Sequence, residues 1–409
     1  MEARSLELLH ALDRLGNIAR HDALVLLRYS LSSSKLLHIL RCSPCAGHPG
    51  LQRFDSALRD GLCKVLNLSL SDDQWLQASL PIKAGGLGIR LATSLALPAF
   101  LASAAGSLSL QSNMLGDTFR SDPEYEAMLV HWLEASSVTG PDVCLFHKQS
   151  YWDKPLIDKV ISVLNTKLTD PYHQARFKAV SAPHSGDWLF ALPITSCGLR
   201  LDDEAVRVAV GLRLGAPLCE PHSCVCGSLV TAEGSHGLSC GLGPGRTSRH
   251  ASLNDLIFRS LTRAGYPSAK EPVGLLRTDG KRPDGLTLIP WRAGRSLVWD
   301  VTVTDTLANS YLPRTSRTAG AAAEMAADRK EAKYTLLATV HHFVPLGFEA
   351  MGPVCSAGLA FISSLGKNLS TVSGDARETS LPFSAASSCD PEVQCGGIPR
   401  YIQNIISWR

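Results

Sequence analysis

The stretch that decides the fold is Arg282-Pro283-Asp284-Gly285, followed by Val298-Trp299-Asp300-Val301-Thr302-Val303. Each aspartate lies in or beside a short segment rich in apolar and β-branched residues, which predicts two strands. Residues 290–295 between them have the composition of a hairpin loop. Asp284 and Asp300 therefore stand near the ends of two strands. Carboxylates held together in this way bind hard divalent cations such as Mg²⁺.

The hairpin can be tested for register. A turn centred near Ala293 predicts that Asp300 lies opposite Leu286 and that Asp284 lies opposite Thr302. Residues opposite each other share a face, so the two carboxylates become diagonal neighbours, roughly 5–8 Å apart. One metal ion can bridge that gap. A slip of one residue would put the two aspartates on opposite faces of the sheet.

An Ala-rich segment at residues 319–338 follows the strands and predicts a helix. Lys330 and Lys333 are three residues apart, so they lie on one face of it. A lysine beside metal-binding carboxylates holds a phosphate or steadies a hydroxide, which equips the set for metal-assisted phosphodiester cleavage. The alternative is a hairpin with solvated aspartates and a charged surface helix. Asp300 argues against it, because an unpaired carboxylate inside an apolar strand is costly.

Arg282-Pro283-Asp284, the strand that contains Asp300, and the lysine pair before Tyr334 together resemble the restriction-like endonuclease domain of non-LTR retrotransposons. That domain belongs to the PD-(D/E)XK nuclease superfamily. The resemblance implies an α/β restriction-endonuclease-like domain in which Asp284 and Asp300 bind catalytic Mg²⁺.

The resemblance departs from the superfamily at one position. The superfamily lysine usually stands two residues after the second acid, where this chain has Thr302. The shifted lysine of the family then corresponds to Lys330 or Lys333. Glu271 occupies the place of an upstream acid that often precedes the first strand.

Seven Cys and His residues fall within 32 residues upstream of this region: Cys219, His222, Cys224, Cys226, His236, Cys240 and His250. The clearest quartet is Cys224, Cys226, His236 and Cys240, because thiolates and imidazoles converging from a loop-rich segment suit tetrahedral Zn²⁺. Cys219 is an alternative to Cys224 or Cys226, and a set of buried free thiols is the other interpretation. The resembled elements also carry a Cys-Cys-His-Cys knuckle directly before the nuclease.

The N-terminal half predicts helices. Phe54, Leu58, Leu62 and Val65 recur at helical spacing as one apolar stripe, and Ser71-Asp72-Asp73-Gln74 has the pattern of a capping box. The glycine-rich run 85–88 predicts a turn, because it lacks the Lys-Ser/Thr of a phosphate loop. Residues 40–45 and 80–90 resemble the thumb and connector region that follows the fingers and palm of such reverse transcriptases.

No Tyr/Phe-x-Asp-Asp polymerase signature is present in the sequence. The resemblance therefore implies the C-terminal portion of an element protein, with the polymerase part missing or supplied in trans. Twelve cysteines without a secretory signal predict a reducing, intracellular location, in the nucleus and cytoplasm. Residues 91–113 are apolar but contain Pro98 and many hydroxyls, which favours packed helices over a membrane span.

We divide the chain into a helical thumb-like region (1–110), a connector (111–215), a zinc knuckle (216–250), a restriction-like endonuclease domain (251–378) and a diverged tail (379–409). A helix is predicted from Asp202 to Leu214, ahead of the knuckle. In the endonuclease domain, helix, strand, strand, strand, helix and strand should follow in order, with the last strand at residues 340–345. A short helix is predicted in the tail near Tyr401 to Ile406.

Two functions are compatible with these features. The first is a Mg²⁺-dependent endonuclease that nicks target DNA to expose a 3′ hydroxyl for priming, with element RNA as a further partner and no membrane. The second is a catalytically inert, zinc-containing nucleic-acid-binding remnant. The net charge of +3 is small for either one. The segment from Arg246 to Lys333, however, has 15 Lys and Arg against nine Asp and Glu, which is where phosphate contact would occur.

Overall fold

A computed structural model describes residues 2–116, 122–139, 142–195, 199–243, 245–275 and 280–375. The contacts divide the chain into two compact units, Met1–Thr169 and Asp170–Arg409. The protein is mostly helical, with a small mixed sheet in the second unit. The tail at 379–409, with its predicted helix near Tyr401, lies outside the described residues.

The described part of the first unit is helical throughout. Its α-helices are α1 (Glu2–Leu15), α2 (Arg20–Leu26), α3 (Leu37–Cys42), α4 (Pro49–Leu66), α5 (Asp72–Ala78), α6 (Ala92–Leu115), α7 (Pro123–Ser136) and α8 (Gln149–Lys167).

The predicted apolar stripe is the buried face of α4. Phe54, Leu58 and Leu62 are fully buried, and Val65 is nearly so. On the same helix, the buried carboxylate of Asp55 accepts hydrogen bonds from the backbone of Ala92 and Thr93 at the start of α6. Helix starts leave N–H groups without partners, so this carboxylate caps α6 from another helix. The predicted capping box is also confirmed, because Ser71 and Gln74 bond reciprocally at the start of α5.

A cluster of aromatic residues joins α6, α7 and α8. Trp132 and Trp152 are fully buried, and their ring centroids lie 4.8 Å apart. The indole of Trp132 donates to the carbonyl of Trp152 at 2.8 Å, and the indole of Trp152 donates to the carbonyl of Phe146 at 2.7 Å. Both buried N–H groups are therefore satisfied.

Among the described residues, one helix, α6, is long and apolar enough to cross a membrane by length and composition alone. The core helix of a soluble protein meets the same criterion. Leu95, Phe100 and Leu101 of α6 are buried within the first unit. The interpretation of residues 91–113 as packed rather than membrane-spanning stays a prediction.

The second unit combines helices and strands. Its α-helices are α9 (Pro171–Val180), α10 (Asp203–Leu214), α11 (Gly245–Arg263), α12 (Leu312–Thr315), α13 (Ala321–Lys333), α14 (Thr335–Val340) and α15 (Ser356–Ser373). Its strands are β1 (His222–Ser223), β2 (Leu229–Val230), β3 (Ser268–Lys270), β4 (Gly285–Arg292), β5 (Arg295–Thr304) and β6 (His342–Glu349).

The four-stranded sheet has the order β3-β4-β5-β6, with β5 and β6 parallel and the other pairs antiparallel. Alternate side chains of β5 point to opposite faces. Leu297, Trp299 and Val301 join a core formed with α11 and α15. Asp300 points to the other face, where α13 lies. The predicted order of helix, three strands, helix and strand holds from α11 to β6, except that three helices, α12, α13 and α14, stand where one was predicted.

The predicted hairpin register is wrong by two residues beside the aspartates. Leu286 lies opposite Val298, not Asp300. The predicted register does hold at Pro290, which lies opposite Ser296, but β4 has a bulge between these two pairs. Thr287 bridges the bulge, because its buried hydroxyl accepts from the backbone of Leu297 and donates to the carbonyl of Ile289, both at 2.9 Å. A shift of two residues keeps every side chain on its face.

Three other features differ from the predictions. The helix expected at 319–338 is two helices, α13 and α14, because Tyr334 leaves the helical backbone conformation between them. The last strand is His342–Glu349, so it extends four residues beyond the predicted end at 345. The predicted boundary at residue 110 falls inside α6. The division of the chain into two units, after Thr169, falls within the predicted connector. The five-part division itself stays a prediction.

Glu349 at the end of β6 is a fully buried acid that should make stability depend on pH. Its carboxylate accepts from the backbone of Ala322 and Ala323 in the first turn of α13, at 2.9 and 3.3 Å. Burial raises the pKa of Glu349 above its ordinary value of 4.5. The folded state therefore holds the proton more tightly than the unfolded state. Protonated Glu349 therefore stabilises the folded state. This contribution is fully present below the pKa that Glu349 has in the unfolded chain, and it is lost as the pH rises through its pKa in the folded protein.

We predict that Glu349→Gln, which is neutral at every pH, gains unfolding free energy relative to the parent as the pH rises from about 4.5 to 7.5. The gain is about 1.4 kcal/mol for each tenfold difference in proton affinity between the folded and unfolded states. Urea unfolding at several pH values measures it. Glu331→Gln, at an exposed position, is the control and should show no such trend. A difference between Glu349→Gln and the parent that does not change with pH contradicts the prediction.

Candidate metal centres

Asp300 lies in the middle of β5 and is only 3% exposed. Burial and, to a lesser degree, the nearby charge of Asp284 raise the pKa of its carboxyl. The amino group of Lys330, on α13, lies 2.7 Å from the Asp300 carboxylate and opposes that rise. A second acid and a cation therefore act on one buried carboxylate, an arrangement found more often at functional sites than elsewhere.

The two candidate lysines have different partners. Lys330 contacts Asp300 directly, whereas the amino group of Lys333 donates to the Tyr334 hydroxyl at 2.9 Å and lies over its ring. Tyr334 is 1% exposed, and its hydroxyl also bonds to Asp300. Lys333 thus contacts Tyr334, which in turn bonds to Asp300. Tyr334 entered the sequence analysis only as part of the family motif, and its contact with the acid depends on the break between α13 and α14.

Asp284 stands one residue before β4, where its chain is fixed to β5 on both sides of Asp300. Its backbone N–H donates to the carbonyl of Trp299 at 3.1 Å. Its carboxylate accepts from the backbone of Val301 at 2.6 Å. The predicted proximity of the two acids is therefore present, although it arises through a bulged pairing and not through the predicted register.

His250 is the residue of this site that the sequence analysis assigned elsewhere. It was a candidate zinc ligand, but its Nε2 lies 3.1 Å from the Asp284 carboxylate. That hydrogen bond raises the pKa of His250, more than burial lowers it. The position of His250 in the sequence could have separated it from the zinc candidates: it lies in the first part of α11, directly after Arg249, and not in the loop-rich segment. Helix α11 on one face of the sheet and α13 on the other thus each contribute one basic residue.

Glu271 lies close to Asp284 in the chain fold but does not join the buried pair. Its backbone N–H donates to the carbonyl of Asp284 at 2.9 Å. Its side chain is half-exposed and forms an ion pair with Arg282. Its φ of +45° is in the left-handed region, which is uncommon for a residue other than glycine. In this conformation, the Glu271 carboxylate pairs with Arg282 and not with the buried acids.

The second centre is the predicted quartet of Cys224, Cys226, His236 and Cys240. One ligand atom from each residue lies within 4.8 Å of the other three, so the quartet can hold a metal ion such as zinc. The Cys224 and Cys240 sulfurs are 3.7 Å apart, and the Cys226 sulfur is 3.2 Å from His236 Nε2. A tetrahedral ion with Zn–S bonds of about 2.3 Å separates two sulfurs by about 3.8 Å. Three sulfurs and one nitrogen are also the donors of a structural zinc site.

Short turns bring these ligands together. Between β1 and β2, the backbone of Cys224 bonds to Ser228, and Gly227 bonds back to Cys224, both at 2.8 Å. Gly227 has a φ of +85°, which a side chain would disfavour. His236 comes from a short helical turn at Ser235–Leu238. This geometry explains how a spacing of only one residue between Cys224 and Cys226 can still supply two ligands.

The thiols of this centre differ in acidity. Hydrogen bonds from the side chain and backbone of Ser228 lower the pKa of Cys226 to about 6. Burial raises the pKa of Cys240. Because the thiolate is the metal-binding form, Cys226 is prepared to bind at neutral pH.

The other Cys and His residues of the segment lie outside the quartet. The Cys219 thiol contacts the carbonyls of Thr231 and Ala232, at 3.5 and 3.7 Å. His222 bonds to the carbonyl of Glu220 at 2.8 Å. With His250 at Asp284, the structure selects four of the seven candidates.

Arg249 connects the two centres. It is 2% exposed, and its guanidinium donates to the carbonyl of Leu238 beside His236. Arg249 and His250 are consecutive on α11, so one residue holds the quartet segment while the next holds Asp284. Both centres therefore depend on the position of α11.

No protein-family model matches the sequence, and no curated protein matches it significantly.

We predict that purified protein contains about one equivalent of zinc and that Cys240→Ser loses it, because removing a ligand from a closed tetrahedral site lowers metal affinity. Elemental analysis after dialysis measures the zinc content. Cys219→Ser is the matched control, since this cysteine is close by but outside the quartet, and it should retain the metal. Equal zinc contents in the two variants would contradict the assignment.

Proposed function

We propose that this chain contains a metal-dependent DNA endonuclease of restriction-like fold, related to those of non-LTR retrotransposon proteins, which nicks target DNA to prime reverse transcription. One observation carries the proposal. The buried Asp300 lies beside Asp284, and its carboxylate accepts a hydrogen bond from Lys330 of α13. The resembled nucleases use two acids and a lysine in this way. The order of helices and strands from α11 to β6 supports the same assignment.

The acidic pair fits a hard divalent cation. Burial and, to a lesser degree, the nearby charge of Asp284 disfavour the ionised form of Asp300. A bound cation would offset both penalties on Asp300. Asp284 and Asp300 would hold Mg²⁺. The ion, when bound, would polarise a phosphate oxygen and make a bound water more acidic.

The residues of the chain have separate tasks in this mechanism. Lys330 orients the Asp300 carboxylate and offers its charge to the phosphate that is attacked. His250 holds Asp284 through a hydrogen bond and limits its rotation. Water attacks phosphorus and the bond to the 3′ oxygen breaks, which leaves a 3′ hydroxyl for priming and a 5′ phosphate. The Tyr334 hydroxyl bonds to both Lys333 and Asp300, so Lys333 influences the Asp300 carboxylate through Tyr334.

The quartet would hold structural zinc in this protein. Its four ligands leave no open position for a substrate, in contrast to catalytic zinc sites, which use three protein ligands. Its connection through Arg249 to α11 gives it an effect on the nuclease site, since α11 also carries His250. The zinc segment therefore braces the helix that positions Asp284. DNA is the proposed substrate and element RNA a further partner, in an intracellular protein.

One observation favours a second function, an inert nucleic-acid-binding remnant. Thr302 stands where the superfamily lysine is usual, and its buried hydroxyl has no hydrogen-bond partner among the described residues. A remnant would retain zinc and bind DNA in a salt-sensitive way, with no cleavage at any Mg²⁺ concentration.

We predict that the full chain nicks supercoiled plasmid in Mg²⁺ but not in EDTA, and that Asp300→Asn lowers the rate by at least about 100-fold, because a neutral amide binds the metal poorly. Gel separation of nicked and supercoiled plasmid measures the rate. Asp328→Asn is the control, because it makes the same change at an exposed position of α13. If folded, zinc-loaded parent does not nick, the remnant function replaces this proposal.

A second prediction separates the two lysines. Lys330→Met should slow nicking by about 100-fold or more, since it removes the cation that contacts Asp300. Lys333→Met should keep the rate within about tenfold of the parent, because its amino group bonds to the Tyr334 hydroxyl, whereas Lys330 bonds to the Asp300 carboxylate itself. Single-turnover nicking at saturating protein measures both. Equal losses in the two variants would show that the 2.7 Å contact of Lys330 does not define the catalytic lysine.

A further inference from the structure

A cavity of about 440 Å³ lies along the outer edge of β6, outside the two metal centres. Strand β6 is the last strand of the sheet, and residues 342–345 in its first half line the cavity. One wall is the face of α15 that contains Ala360, Ser364 and Asn368. The end of the β4–β5 hairpin forms another wall through Trp291 and Arg292. The volume is within the range of small-molecule sites.

The cavity offers a flat aromatic surface beside hydrogen-bonding groups. The ring of Trp291 contacts those of Tyr266 and Phe361 at tilted angles, with centroid distances of 4.6 and 5.7 Å. Phe343, from β6, also lines the cavity. Ser364 and Asn368 place a hydroxyl and an amide within the same space. A planar heterocycle can stack on such rings while its edge bonds to the polar groups.

The hairpin end of the cavity is positively charged. Arg292 lines it, and Arg292 together with nearby Arg295 lowers the pKa of His342, which also lines the cavity. Burial contributes most to that lowering. Glu331 is the one acid among the lining residues. A ligand with a flat apolar ring and an anionic group matches this distribution.

We propose that this cavity binds one unstacked nucleotide of a single-stranded nucleic-acid segment, with the base against Trp291 and the phosphate near Arg292. The proposal rests on the proposed function for its source of nucleic acid. It adds a subsite for a base outside the duplex, beside the atoms that would cut.

The cavity is adjacent to the acidic site. Pro345, which lines it, is the β6 partner of Asp300 across the parallel pair of strands. Tyr334 connects the two places from the other side, since its hydroxyl bonds to Asp300 and its ring lies 5.0 Å from that of Phe343. A strand that is nicked at Asp300 could therefore place a neighbouring nucleotide in the cavity.

An extended peptide that adds a strand to β6 fits the edge less well. Pro345 has no N–H to offer to such a peptide. Further along, Gly347 is already paired, because its carbonyl accepts from the backbone of Cys355 at 2.9 Å. Only the first part of β6 remains for pairing, which is too short for a register of several hydrogen bonds.

Oligonucleotide binding to the full, zinc-loaded chain tests the proposal in buffer without Mg²⁺, where cutting plays no part. The probe is a fluorescein-labelled 12-nucleotide oligo(dT), measured by anisotropy. Ala360→Leu fills the cavity from an exposed helical position, and Ala338→Leu makes the same change on exposed α14. We expect Ala360→Leu to weaken binding by about 5-fold to 150-fold, the range of one stacked base, and Ala338→Leu to leave it unchanged.

A second pair of variants tests the aromatic surface directly. Trp291→Leu should weaken binding to a similar degree, whereas Phe190→Leu, at an exposed aromatic of the same unit, should not. An oligonucleotide that contains 5-iodouracil should also cross-link, on irradiation, to the peptide containing Trp291 or Phe343. Thermal unfolding of each variant establishes that it is folded.

The outcomes separate this inference from the nuclease. Weaker binding by Ala360→Leu in a parent that never nicks would support the nucleotide subsite and reject the endonuclease. Nicking by the parent with unchanged binding in Ala360→Leu and no cross-link in the cavity would do the reverse. Absence of oligonucleotide binding by the parent overturns the inference. An effect of Ala360→Leu on binding of an extended peptide, with none on oligo(dT), overturns it in favour of a peptide groove.

Discussion

The buried carboxylate of Asp300 is the constraint on which the rest of the second unit depends. A charge inside a strand loses its hydration, and its pKa rises as a result. Lys330 reaches it from α13, so the helix cannot move from that face of the sheet without leaving the acid unpaired. Breaking a buried pair costs about 3–5 kcal/mol, whereas an apolar pair at the same place is often no worse. A buried pair of charged side chains such as Asp300 and Lys330 is therefore better explained by a functional role than by a contribution to stability.

The surrounding structure is arranged to bring a second acid to the first. Thr287 bridges a bulge in β4 with its own hydroxyl, which shifts the pairing while keeping every side chain on its face. The chain before β4 then bonds to β5 on either side of Asp300, and Asp284 is fixed there. His250 completes the arrangement from α11. The site thus depends on one helix from each face and on an irregular pair of strands between them.

The two candidate metal centres use different donor atoms and are mechanically joined. Sulfur and imidazole nitrogen suit a zinc-like ion, whereas paired carboxylates suit a hard cation such as Mg²⁺. Arg249 and His250 connect the two centres through consecutive residues of α11. The proposed nuclease and the proposed nucleotide subsite are related in the same way, through Tyr334 and the pairing of Asp300 with Pro345.

The sequence by itself determined the strands around Asp284 and Asp300, the stripe of α4, the cap at Ser71 and the segment of seven Cys and His candidates, because these follow from side-chain periodicity and local spacing, whereas the structure selected four of the seven. Tertiary structure decided the register beside the aspartates, the partner of His250 and the break at Tyr334. It also separated Lys330 from Lys333, which local spacing had placed on one face. Each of these depends on contacts between residues far apart in the chain, such as the 2.7 Å pairing of Lys330 with Asp300 across 30 residues. Local patterns contain no information about such distances.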